Sequence, residues 1–209
     1  MQLERVKEKL ELLKRLDKKY SVNFSNVHKY ILNPPLPEST ITDFEQRHSV
    51  ILPRGYVEFL TKFGNGGAGP FYGLEPFENA LFCDLQYKNP DFLINPGKPF
   101  PHTEPWDMEI PSYYPEDEML SAIFDEEYYA SKWIDGSLRI CDYGCAIHIN
   151  LVVKGQEYGH VWTDGRGNDE LGIHPSYELG NTEKLSFLDW YELWLDNSIE
   201  EVNNLAMSR

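Results

Sequence analysis

Leu52-Pro53-Arg54-Gly55-Tyr56-Val57-Glu58-Phe59-Leu60-Thr61-Lys62-Phe63-Gly64-Asn65-Gly66-Gly67-Ala68-Gly69-Pro70-Phe71-Tyr72-Gly73-Leu74 reads as a short helix that runs straight into a glycine loop. Pro53 suits the first helical turn, where its missing N–H would have no partner anyway. Tyr56, Phe59, Leu60 and Phe63 follow at i, i+3, i+4, i+7 spacing and predict one buried face. Gly64 is expected to end the helix in a left-handed cap. The five glycines from Gly64 to Gly73 invite comparison with a phosphate cradle. That chemistry needs a helix N-terminus after the loop, and usually a Lys-Ser/Thr pair, to hold the anion. Pro70, Phe71, Tyr72 and Leu74 stand there instead, so an aromatic-packed turn between helix and strand is the stronger reading.

Upstream, Leu3, Val6, Leu10, Leu13 and Leu16 form the stripe of an amphipathic helix within a separate N-terminal segment, 1–20. Two heptads are too short for a lasting coiled coil, so the helix is expected to dock on its own domain. Asn33-Pro34-Pro35-Leu36-Pro37 predicts an extended connector, and Thr40 with Asp43 a helix cap. Downstream the period changes to two. Strands are predicted at Phe71–Leu74, Leu138–Cys141, Ala146–Val153 and Tyr158–Thr163, with a turn at Asp142-Tyr143-Gly144. Ser186 and Asp189 cap a last helix whose face carries Leu188, Tyr191, Leu195, Ile199 and Val202. The fold class is therefore α+β: one domain over 21–209, a twisted, largely antiparallel sheet, helices on one face, and the extra N-terminal helix.

The 209 residues include 41% hydrophobic side chains, enough for one core, and 34 acids against 19 Lys and Arg, a net charge of −15. Residues 1–20 hold seven of those basic residues and four acids, which leaves 12 basic and 30 acidic residues in the remainder. Nucleic-acid binding by such a surface is disfavoured, because phosphate neutralisation needs clustered Lys and Arg; a basic protein partner is favoured. Three cysteines, and no apolar run of leader or membrane-span length, predict a reduced protein of the cytoplasm, a monomer or weak homodimer that does not engage a membrane.

The segment 83–135 has a different texture. Between Lys98 and Lys132 lie nine carboxylates and no base, interleaved with aromatic residues, and a merely disordered acidic tract would be poor in aromatics. Glu104, Trp106, Asp107, Glu109, Tyr114, Glu116, Asp117 and Glu118 are the candidate partner-binding residues; Met119–Tyr129 is a candidate helix. The competing reading is a solvated lid over the sheet edge. Cys145 with His148 or His160 and Asp164 could be arranged as a thiol hydrolase, but nothing predicts a helix N-terminus that would activate the thiol. The run Asp164–Glu170 lacks the ligand order of an EF-hand calcium loop. No catalytic residue, metal site or cofactor is expected.

The LP before an aromatic helix, the G-N-G-G…P-F/Y-G-L loop, Leu138–Cys145, Leu151–Gly155, Tyr158–Asp164 and the closing Phe187–Leu195 together resemble, in order, the SUKH superfamily of Smi/Knr-type proteins. The resemblance spans about Pro37–Glu201, and the N-terminal helix and the segment 83–135 depart from it. It implies a non-enzymatic binding module: bacterial members are chiefly immunity proteins that neutralise cognate toxins, often nucleases, and fungal members regulate cell-wall glucan synthesis.

Overall fold

The computed structural model describes residues 2–108, 125–168 and 172–207. Helices α1 (Gln2–Leu16), α2 (Ser25–His28), α3 (Glu38–His48) and α4 (Arg54–Lys62) precede a four-stranded antiparallel sheet. Its strands β1 (Ser137–Gly144), β2 (Ile147–Val152), β3 (Val161–Asp164) and β4 (Ile173–Pro175) lie side by side in chain order, and α5 (Phe187–Met207) closes the chain. The expected α+β class is the observed one.

The period-two alternation of the strands separates two cores. Leu138, Ile140, Ile149, Leu151 and Val161 face the helices, where they join Tyr56, Phe59, Leu60, Phe187, Trp190, Tyr191 and Leu195. Leu3, Val6, Leu10 and Leu13 enter the same core, so the N-terminal helix docks as expected; Leu16 stays exposed. At the seam between α1 and α5, Glu192 accepts hydrogen bonds from Arg5, Lys9 and Gln2. Those donors, the Arg5 hydrogen bond foremost, hold its carboxyl down at about 2.

On the opposite face Val152, Trp162 and Ile173 meet Ile94, Phe100 and Ile134, with Trp106 and Trp133 packed around them. The segment 83–135 thus supplies the cover for the second face of the sheet instead of lying over an edge. Its described residues are tied down: Phe100 N–H donates to Lys154 O, Gly136 N–H to Asn95 O, and Asn95 N–H to the Asp135 carboxylate.

Several boundaries differ from expectation, each for a local reason. Pro37, not Thr40, stands at the N-cap of α3, because Thr40 and Asp43 already lie inside the helix. Gly64 follows α4 without a left-handed φ; a Cβ there would lie 2.7 Å from that of Leu32, so close approach of the connector demands the glycine. Phe71–Leu74 forms no full strand, although Leu74 bridges Gly67 and Cys141, and Glu75 N–H donates to Ile140 O along the edge of β1. Strand β1 runs through the expected Asp142–Gly144 turn, and the reversal is Cys145-Ala146, both at positive φ, as a two-residue hairpin of type I′ requires. Residues 155–160 turn before β3 starts at Val161. Strand β4, the short helix α2 and a register shift between Arg139 and Cys141 are further differences, whereas the helical turn at 125–128 falls within the expected Met119–Tyr129 helix.

The glycine loop is spent on structure. Gly67 and Leu74 exchange two N–H···O bonds of 2.8 Å, Ala68 N–H donates to Ile31 O, and Gly73 N–H to Pro70 O. These N–H groups bind the connector to the sheet edge and are not turned towards an anion.

Candidate functional site

The second face of the sheet is polar at its centre. Cross-strand register sets Arg139 of β1 beside Asn150 of β2, and His148 of β2 beside Asp164 at the end of β3. Arg139, Arg166 and Asp164 are all nearly fully buried. One Asp164 oxygen accepts from Arg166 Nε at 2.7 Å, and the other accepts from Arg139 Nη2 at 2.7 Å and Arg166 Nη2 at 2.9 Å. Against the cost of burial, the two guanidiniums hold the Asp164 carboxyl far below the ordinary carboxylate range.

The outer ends of both arginines grip backbone. Arg139 donates to the Cys83 carbonyl, and Arg166 Nη1 donates to the carbonyls of Tyr128, at 2.6 Å, and Ala130. Cys83 opens the segment 83–135, and Tyr128–Ala130 lies near its close. One buried carboxylate therefore connects, through two arginines, both ends of the segment to the sheet.

The acidic stretch is bracketed in the same way. Trp106 and Ile173 exchange two N–H···O bonds of 2.7 Å, Trp106 stacks on Trp133 with ring centroids 4.4 Å apart, and Tyr128 donates its hydroxyl to Asp107 at 2.7 Å. Of the candidate binding residues, the structure thus places Trp106 as a half-buried anchor and Asp107 as an exposed carboxylate that holds Tyr128. Glu104 is exposed, as are Glu126 and Glu127. Glu109, Tyr114, Glu116, Asp117 and Glu118, with most of the expected Met119–Tyr129 helix, lie outside the described residues.

The thiol arrangement is not assembled. Cys145 is exposed at the hairpin tip, both Asp164 oxygens are taken by arginine, and His148 Nε2 accepts the Leu85 N–H at 3.2 Å. His160 pairs with Glu157. Burial raises the pKa of both Cys83 and Cys141, favouring their neutral thiols. Among the described residues no group of three or more His, Cys, Asp and Glu side chains could hold a metal ion, and no helix is long and apolar enough to cross a membrane.

Burial also pushes His148 and His28 down to about 4, so both imidazoles are neutral near pH 7. An unfolded histidine takes up its proton near 6.5. Between about 6.5 and 4 the unfolded chain therefore binds more protons, and stability falls as pH is lowered through that window. The expected loss from His148 is about 1–3 kcal/mol by pH 4. Urea unfolding at successive pH values checks it: His148→Gln should flatten the slope, and an unchanged slope would refute the assignment.

Sequence reasoning missed Arg139, Arg166 and Tyr128. The available signal was that Arg139, His148, Asn150 and Asp164 occupy alternate positions of strands whose other face is apolar, in a chain with some fifty further residues at 83–135 to cover them. Comparison of the chain with protein-family models, with curated proteins and with solved structures finds no match.

Proposed function

We propose that the chain is a non-enzymatic binding module that neutralises a basic partner protein, in the manner of the immunity proteins it resembles. The observation that supports this most directly is the bracketed acidic stretch. Its flanks are fixed to a rigid sheet by the Trp106–Ile173 bridge, the Asp107–Tyr128 hydrogen bond and the Arg166 clamp, and nine carboxylates with no base occupy the sequence between Lys98 and Lys132. Anchored flanks reduce the ordering cost that a floppy acidic tail would incur on binding. A nuclease toxin is basic where it holds nucleic acid, so an acidic surface seated there would mimic substrate charge and block access. Such an inhibitor would act in the cytoplasm, where the toxin's nucleic-acid target lies.

The test is binding kinetics against the partner captured from the native cell, at several salt concentrations. Attraction of this kind mainly speeds encounter and is screened over about 8 Å at physiological salt. Replacing Glu116, Asp117 and Glu118 by Gln, Asn and Gln should lower the on-rate about tenfold at low salt. An unaltered on-rate would place the interface elsewhere. Trp106→Ala, by contrast, should destabilise the segment before it affects any partner contact.

A further inference from the structure

A cavity of about 230 Å³ opens between the polar centre of the sheet and the two ends of the segment 83–135, with Cys83, Asp84, Tyr129, Arg139, His148 and Arg166 in its walls. Protein interiors hold few voids larger than a water molecule, and this one is walled by two permanent cations. It is smaller than the roughly 300–1,000 Å³ of sites for drug-sized ligands, which limits an occupant to a few heavy atoms.

The hydrogen-bond inventory indicates the occupant's chemistry. A guanidinium has five N–H donors. Arg139 uses four, two on Cys83 O and one each on Asn150 and Asp164. Arg166 also uses four, two on Asp164 and two on the carbonyls of Tyr128 and Ala130. One N–H of each guanidinium, on Arg139 Nη1 and Arg166 Nη2, has no protein acceptor among the described residues, although both side chains are buried. His148 is neutral and adds no charge. Asp164 is saturated by the arginines. Asp84 is the other acid in the wall; it is only half-buried, and one of its oxygens accepts the N–H groups of Gln86 and Tyr87. Two cations sharing one saturated carboxylate thus leave two donors and one positive charge in the cavity wall, where the half-buried Asp84 is the other acid among the described residues.

We infer that this cavity binds a small oxyanion, a carboxylate or phosphate group with two oxygens able to bridge the free N–H groups of Arg139 and Arg166. An anion there would also lie against Cys83 at one end of the segment and Tyr129 at the other, so its binding would reinforce the clamp. The inference is independent of the proposed protein partner and is tested without one.

The probes are inorganic phosphate and acetate, with chloride at equal ionic strength as the control. Each is titrated while the melting temperature and the alkylation rates of Cys83 and Cys145 by iodoacetamide are followed. The expected result is a saturable rise in melting temperature with slowed alkylation of Cys83, while the exposed Cys145 reacts at its original rate. A response to phosphate alone identifies a phosphoryl-type ligand, and a response to acetate alone a carboxylate. Asp84→Asn keeps the oxygen that caps the Gln86 and Tyr87 N–H groups but removes the opposing charge, and should tighten binding about threefold or more. Absence of a saturable response in the chain as it stands, equal protection of both cysteines, or an affinity unchanged by Asp84→Asn would each overturn the inference.

Discussion

Deletion of residues 2–16 is expected to leave the rest of the chain unable to fold. Leu3, Val6, Leu10 and Leu13 are at most 5% exposed and share one core with α4, α5 and the sheet. Burying a side chain of this size contributes about 1.5–3 kcal/mol, together about 6–12 kcal/mol. Native stability as a whole is about 5–15 kcal/mol. Deletion would also expose the apolar flank of α5. The ion pairs at the same seam are a far smaller term: Glu192→Gln should cost only about 1–2 kcal/mol, because Arg5 is largely exposed and solvent screens the pair. Near-UV circular dichroism and urea unfolding of the truncated chain and of Glu192→Gln compare the two effects. A truncated chain with native aromatic dichroism and a cooperative transition would show that α1 is an accessory and not part of the core.

Helices α1, α4 and α5 were legible because each carries an apolar stripe whose period survives any tertiary context. The sheet was legible through the alternation Leu138-Arg139-Ile140 and through Val161-Trp162. Strand β4 was not: three residues ending in Pro175 are too few to show a period. The hairpin turn was hidden because Cys145-Ala146 adopts positive φ without Asn or Gly, while Gly144 beside it reads as the turn. Acidic charge was visible in the sequence, but the clamp that fixes the flanks of the acidic stretch was not. It joins Cys83, Tyr128, Arg139 and Asp164 across up to 81 positions, and pairing at that distance is set by sheet register, which local pattern does not encode.

Asp164→Asn should cost about 3–5 kcal/mol, because it leaves Arg139 and Arg166 buried without their shared counter-charge. An asparagine there can still accept from one arginine, but its amide presents N–H groups to guanidinium donors. The carboxyl titrates far below its unfolded value near 3.9. Its contribution is therefore full above about pH 4 and is lost only as pH falls through the native value; the cost of the substitution should be constant from about pH 6.5 to pH 8, above the window in which His148, whose pKa Asp164 helps to raise, adds a slope of its own. The damage should also be localised. Both arginines grip the segment 83–135 by its carbonyls, so hydrogen exchange should accelerate at 83–108 and 125–135 more than in α1 or α5. A second substitution separates loss of charge balance from loss of packing. Arg166→Met removes one of the stranded cations, so Asp164→Asn combined with Arg166→Met should cost less than the sum of the two single changes. If the costs add, or if exchange accelerates evenly over the whole chain, the carboxylate is only one more buried group and the segment is held by its aromatic packing alone.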